Sequence, residues 1–289
     1  MFIASIDPLD EIYYSIHMRK FHILIILILF WVLSGCASSG KVEPFKERQA
    51  IARETAIKDL SSAVPFFACK KFTYHVAWNG IPVGSVFAET GRPTRYKEYD
   101  VYDVRIKTES NKFLSKIYRV EDTYISYVDT ALFTSRRYEA DRKEGNYRKH
   151  VIVEYDFNEN KAEYTNLVDG SVKYCEIKKD VQDPVSAMCY FMTMPLELNE
   201  RVNVTVNLNE KNYEISGNIE RVDIVDLGGL GAFPAFRVRP YAILNGESYK
   251  KGTGYMYFAL GAKRYPLYGV VNIPFGRVTA TLVSIEDVK

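Results

Sequence analysis

The alternation of apolar and polar positions divides this chain into three regimes. Between Ile23 and Leu33 apolar residues follow one another almost without a break. From Pro44 to about Leu60 charged residues surround a narrow stripe of Ala50, Ile57, Leu60 and Val64, the spacing of a surface helix. Pro44 suits its first turn, and Pro65 stops it. From Lys70 the period becomes two: Phe72, Tyr74, Val76 and Trp78 alternate with Thr73, His75 and Ala77. Such alternation marks a strand with one covered face. Asn79-Gly80 then supplies a tight hairpin, because both residues accept positive φ. Ile81 to Thr90 returns as the second strand.

The same alternation predicts strands near 98–109, 112–120, 122–129, 133–141, 147–157, 161–167 and 171–178. More follow near 201–208, 211–220, 234–243, 253–260, 266–273 and 276–285. Asp141 to Asn146, Asn158 to Asn160 and Asp169-Gly170 read as breaks, and the carboxylate pair Glu121-Asp122 also reads as turn. One helix interrupts the strands. Asp183 can cap it, Pro184 takes its first position, Ser186 to Thr193 fill it, and Pro195 stops it. Val185, Ala187, Met188, Cys189, Tyr190, Phe191 and Met192 surround this helix with apolar groups, so it needs cover on most sides. The expected fold is mainly β: a large antiparallel curved sheet, half-barrel or sandwich, with one buried central helix and an N-terminal helix. No internal repeat or long linker divides it, so residues 67–289 form one β-rich domain.

Charge changes the picture only by exclusion. A formal net charge of +2 over 289 residues supplies no basic field for nucleic acid. The 22 tyrosines and 16 phenylalanines reinforce the strand assignment.

Before the apolar run stand Met18, Arg19, Lys20 and His22, which together with it compose a secretory signal. The run falls short of the ~20 residues of a comfortable membrane span. Leu33-Ser34-Gly35-Cys36 resembles the lipobox of bacterial lipoproteins. That resemblance implies a diacylglyceryl thioether on Cys36 and cleavage just before it. Residues 1–35 are then signal peptide, with Met18 as the expected start, since Asp7, Asp10 and Glu11 do not suit a basic leader. Residues 36–66 become a lipid-anchored tether and helix. The expected partner is a membrane, because each buried acyl CH₂ contributes ~0.8 kcal/mol. Ala37, rather than Asp, implies by resemblance to sorting signals the periplasmic face of the outer membrane. Beyond Cys36 the cysteines are Cys69, Cys175 and Cys189. They act either as small apolar residues or as one disulfide with a thiol left over.

Phe72-Thr73-Tyr74-His75-Val76-Ala77-Trp78-Asn79-Gly80-Ile81-Pro82-Val83-Gly84 resembles the opening hairpin of the bacterial family called domain of unknown function 3108. Asp183-Pro184-Val185-Ser186-Ala187-Met188-Cys189-Tyr190-Phe191 resembles its central helix motif. Lys263-Arg264-Tyr265-Pro266, then Phe275-Gly276, resembles its ending. Trp78, Asn79, Gly80, Gly84, Asp183 and Pro184 are the motif positions. Phe258-Ala259-Leu260 departs from the pattern, which leads one to expect a Trp there. The resemblance implies an exported, mostly antiparallel β fold, by analogy a half-barrel like that of lipoprotein carriers. It brings no activity and no catalytic residues.

The residues themselves offer little chemistry. Neither His75 nor His150 has metal-ligand spacing to a second donor, and no G-x-S-x-G elbow occurs. Gly228-Gly229-Leu230-Gly231 leads into a strand and not into a helix, so it cradles no phosphate. Asp183 needs no role beyond its cap. No catalysis, metal or cofactor is expected. Two functions remain: a curved sheet holding a lipid or other apolar ligand, or a structural or assembly lipoprotein acting through envelope protein contacts. For the first, Met188, Tyr190, Phe191 and Met192 are the candidate wall residues, methionine suiting varied shapes.

Overall fold

The computed structural model describes residues 67–194, 196–244, 247–248 and 253–288. The signal segment, Cys36, the tether helix and Pro195 lie outside the described residues.

The hairpin read from Asn79-Gly80 is present. Strand β1 (Lys70–Trp78) turns into β2 (Ile81–Thr90) through Asn79 at φ 49° and Gly80 at φ 82°. β3 (Thr94–Tyr96), β4 (Tyr99–Ser110), β5 (Glu121–Asp129), β6 (Ser135–Glu144), β7 (Tyr147–Asp156), β8 (Lys161–Asn166) and β9 (Val172–Glu176) continue the meander. The helix α1 (Pro184–Thr193) interrupts it. Then come β10 (Arg201–Leu208), β11 (Lys211–Asp226), β12 (Ala232–Leu244), β13 (Glu247–Ser248), β14 (Thr253–Ala259), β15 (Pro266–Ile273) and β16 (Gly276–Asp287).

All sixteen strands belong to one antiparallel sheet. Its order runs β10-β11-β12-β14-β15-β16-β1-β2-β4 and on through β5 to β9, with β3 beside β4 and β13 beside β12. The pairing of β1 with β16, Phe72 opposite Ile285, unites the two ends of the described chain. The sheet stays open between its edge strands, yet it curves until the region of β9 meets that of β10 and β11. Side chains hold this seam. Tyr164 donates to Asn207 Oδ1 at 2.5 Å, Asn212 Nδ2 donates to the Glu176 carbonyl at 2.8 Å, and Lys178 pairs with Glu214 at 3.2 Å.

Period-two alternation decides which face is inside. Along β5, Asp122, Tyr124, Ser126 and Val128 are buried while Glu121, Thr123, Ile125 and Tyr127 are half-exposed. The concave face carries the core, and α1 lies within it, with Pro184, Val185, Ser186, Ala187, Cys189 and Met192 buried. Cys69, Cys175 and Cys189 are free thiols, so the disulfide alternative is not taken.

Three expectations are corrected. Residues 112–120 do not form a strand. The Asn111 side chain accepts the Leu114 N–H at 2.8 Å and starts a short 3₁₀ turn, Leu114–Lys116. The charged stretches Glu121-Asp122 and Asp141 to Glu144 are strand and not turn; only Gly145-Asn146 reverses the chain. β11 also runs six residues past the expected end, to Asp226.

Candidate functional site

Asp183 fixes the helix that shapes the interior. One carboxylate oxygen accepts the N–H groups of Val185 at 2.6 Å and Ser186 at 2.8 Å, and the Ser186 hydroxyl accepts the Asp183 N–H at 2.9 Å. The other accepts the hydroxyl of Ser126, on β5, at 2.5 Å. Just before the cap, Gln182 exchanges backbone bonds with β10: its N–H donates to the Thr205 carbonyl at 2.9 Å, and its carbonyl accepts from Asn207 at 2.8 Å. The start of α1 is thereby pinned to both sides of the interior. Asp183 has no exposed surface, and burial raises its pKa; Ser126 and the two helix N–H groups work the other way.

Beneath α1 lies a cavity of about 90 Å³. The helix contributes Val185, Met188, Cys189 and Met192 to it. The sheet contributes Phe72 and Tyr74 of β1, Val86 and Ala88 of β2, Val104 and Ile106 of β4, and Tyr268 and Ala280 of β15 and β16. The Tyr74 hydroxyl is turned to the Pro266 carbonyl at 2.9 Å, which leaves its ring facing the space. Burial pushes the Cys189 thiol well above its ordinary pKa, so it is an inert wall group, not a nucleophile.

Of the four wall candidates, the structure places Met188 and Met192 on this cavity. Tyr190 and Phe191 are not among its lining residues. Tyr190 packs against the cluster of Ala187, Val204 and Val206. Phe191 meets Phe258 with ring centroids 4.8 Å apart. Phe258, where the motif leads one to expect Trp, is buried against that ring. Trp78 donates its indole N–H to the Phe275 carbonyl at 3.1 Å, on the turn beside its own. Gly84 lies where β2 and β4 approach closely: a Cβ there would stand 2.3 Å from the Glu109 carbonyl oxygen. His75 is exposed on β1, and His150 meets Glu139 at 2.8 Å on the sheet surface.

A second polar group was hidden in the sequence. Asp122 and Glu144 are buried with Arg142 inside the upper part of the sheet. Arg142 Nε donates to Glu144 at 2.9 Å; Asp122 accepts the Lys143 N–H at 2.9 Å and the Tyr124 hydroxyl at 3.1 Å. Burial pushes the Glu144 carboxyl up to about 7, with Asp122 adding to the rise and Arg142 opposing it. The signal lay in the parity of β6: Tyr138, Ala140, Arg142 and Glu144 continue one face. Among the described residues no group of three or more His, Cys, Asp or Glu is placed to hold a metal ion, and no helix is long and apolar enough to cross a membrane.

A curved antiparallel sheet wrapped around one capped helix defines a β-barrel-like protein. The solved β-barrel-like protein of the domain of unknown function DUF1849 from Brucella abortus is similar, with a TM-score of 0.51 at 9% identity over 75% of this chain and 97% of that one. The chain belongs to the family described as protein of unknown function DUF3108, whose model matches residues 73–283. Two further solved structures match with TM-scores below 0.5. One, from Bacteroides fragilis, is described as an exported protein with a YmcC-like fold (0.30, 10% identity, 78% of this chain and 98% of that one). The other, from Parabacteroides distasonis, is described as a lipoprotein (0.34, 7% identity, 78% and 98%). No curated protein matches.

Proposed function

We propose that this protein is a lipid-anchored envelope protein, without catalytic activity, that holds the apolar part of a lipid or similar molecule between α1 and the curved sheet. The observation that carries this reading is the lining of the cavity under α1, built almost wholly from aliphatic, aromatic and methionine side chains. Small apolar molecules enter such spaces: an engineered cavity of roughly 150 Å³ takes up benzene. At about 90 Å³ the space suits the end of a chain, not a whole acyl group. Met188 and Met192, unbranched and adaptable, are the groups able to enlarge it. The anchor in this proposal is the lipid on Cys36, and the location is the periplasmic face of the outer membrane.

The alternative, an assembly protein acting by protein contacts, is favoured by one feature. Leu167, Val168, Val172 and Tyr174 are exposed along the β8–β9 hairpin, and β9 ends the sheet. An apolar edge strand is a site for strand addition by a partner.

Native mass spectrometry separates the two. The protein is extracted from its membrane in mild detergent, as wild type and as Met188→Trp, which fills the cavity. The ligand reading expects an apolar adduct on wild type, lost in the variant at unchanged fold. No adduct on wild type, together with equal uptake of a fluorescent fatty acid by both forms, would refute it.

A further inference from the structure

Three neighbouring turns at one end of the sheet carry large apolar side chains that the fold does not cover. Ile81 is 57% exposed on the β1–β2 turn, Phe113 and Ile117 are 64% and 77% exposed on the β4–β5 loop, and Phe275 is 49% exposed on the β15–β16 turn. Sheet order puts these turns side by side, since β16, β1, β2, β4 and β5 are consecutive neighbours. Hydrogen bonds lock them together. Asn111 donates its N–H to the Val83 carbonyl at 2.8 Å and its side-chain amide to the Pro82 carbonyl at 2.6 Å. Asn79 and Arg277 exchange two bonds, each 2.7 Å, across the other pair of turns. The apolar tips therefore stand on a rigid rim. Within the β4–β5 loop, half-buried Leu114 packs inward against the core. Phe113 and Ile117, four residues apart on either side of the 3₁₀ turn, remain outside.

Charge says what such a rim meets. Residues 78–84, 110–120 and 272–279, which make up the three turns, contain Lys112, Lys116, Arg119 and Arg277 and no Asp or Glu. Arg119 is held by Glu121 at 2.6 Å. Lys112 and Lys116 are exposed and have no ion-pair partner among the described residues. Apolar tips flanked by free cations, with the nearest acids, Glu109 and Glu121, at the base of the β4–β5 loop and already paired with Lys107 and Arg119, match the boundary between anionic headgroups and acyl chains. We propose that this rim docks onto an anionic phospholipid surface, with Phe113 and Ile117 entering the acyl region and Lys112 and Lys116 engaging headgroup phosphates. None of these residues lines the cavity under α1, and the docking stands whether or not Cys36 carries a lipid.

The test reads which end of the molecule meets the bilayer. Full-length protein carrying Trp31→Phe and Trp78→Phe, and so free of other tryptophans, is given a probe by Phe113→Trp or by Leu132→Trp. Leu132 is exposed on the β5–β6 turn at the opposite end of the sheet. Both are mixed with vesicles of phosphatidylethanolamine and phosphatidylglycerol whose acyl chains carry bromine, a contact quencher. The Phe113→Trp form is expected to be quenched and the Leu132→Trp form not. The quenching should fall by about half or more at ~0.5 M sodium chloride, where charges are screened within about 4 Å. Adding Lys112→Glu and Lys116→Glu should reduce it similarly. Equal quenching at both ends, or none at the Phe113→Trp probe, would overturn the proposal. Quenching that survives in purely phosphatidylcholine vesicles at high salt would overturn its electrostatic part. Loss of the fatty-acid uptake described above bears only on the cavity.

Discussion

Ser126 donates its hydroxyl to the Asp183 carboxylate at 2.5 Å across 57 residues of chain. This contact joins the inner face of β5 to the residue that caps α1, deep in the interior. The carboxylate has no access to water, so its partners are what make its burial tolerable. Ser126 serves one oxygen and the helix N-terminus the other.

Asp183→Ala is therefore expected to cost more than an ordinary surface cap. A cap alone contributes ~1 kcal/mol, and leaving buried donors unmatched adds roughly 1–3 kcal/mol. Asp183→Asn keeps an acceptor for the helix N–H groups and should cost less. Urea unfolding measures both; identical midpoints for wild type and Asp183→Ala would show that α1 does not depend on this residue.

Glu144 gives a pH dependence of definite sign. Its carboxyl titrates near 4.5 in an unfolded chain and at about 7 in the fold, because burial favours the protonated form. Between those values the folded state binds more protons, so this group's contribution to stability is full below pH 4.5 and is lost as pH rises to about 7. The whole effect is at most about 3 kcal/mol. Asp122 shares the titration, so a difference experiment is needed. The stability of wild type minus that of Glu144→Gln should fall as pH rises through this window. A flat difference would mean that Glu144 is ionised throughout.

The strands were largely legible because one face is buried and alternation has to follow it. Phe72 and Val76 of β1 lie inward as their parity predicts, and Asp183-Pro184 begins the helix as its chemistry predicts. What misled was treating charge as a sign of solvent. Arg142 and Glu144 sit on the inner parity of β6, but their charges made the segment read as a turn. Residues 112–120 misled in the opposite way. Their apolar groups look like a strand, whereas one Asn111 side chain bonds locally and bends the backbone. The interior surroundings of α1 were legible only in kind. Its apolar character on all sides requires cover, but which side faces space and which faces Phe258 depends on strands distant in sequence.

Gly84 tests the close approach of β2 to β4. The Glu109 carbonyl oxygen occupies the place of a Cβ at this position. Gly84→Ala should force the two strands apart and destabilise by about 1–3 kcal/mol. At Gly80, on the hairpin, an added Cβ meets no atom within 4 Å, so Gly80→Val should suffer mainly the strain of φ 82°, about 1 kcal/mol. Thermal unfolding of both variants checks the order. A larger loss at Gly80 would contradict the packing at Gly84.

The proposed anchor predicts a change of mass. Cys36→Ala should block processing, so the chain keeps its signal peptide and gains no diacylglyceryl group. Intact-mass analysis of membrane fractions reads this directly. A variant cut at the same place as wild type, and equally membrane-bound, would remove the lipid from the proposal.

Phe191 and Met188, neighbours on one short helix, should separate stability from uptake. Phe191 packs on Phe258 with centroids 4.8 Å apart and touches the strand beside it, near Gly217, whose Cβ position lies 3.4 Å from the Phe191 ring. Its removal leaves a hole between α1 and the β11–β14 side of the interior. Phe191→Ala should cost about 2–3 kcal/mol, less than truncation of a fully buried Phe because its ring is only half-buried. Because Phe191 does not line the cavity, uptake of a fluorescent fatty acid should persist as long as the variant stays folded. Met188 lines the cavity and is half-buried, as Phe191 is. Its truncation to Ala removes fewer contacts and should cost less than Phe191→Ala, while it enlarges the space and raises uptake. Titrating the probe against both variants at a temperature well below unfolding distinguishes the two roles. If uptake falls in Phe191→Ala and is unmoved in Met188→Ala, the ligand lies on the Phe258 side of the helix and not in the cavity beneath it.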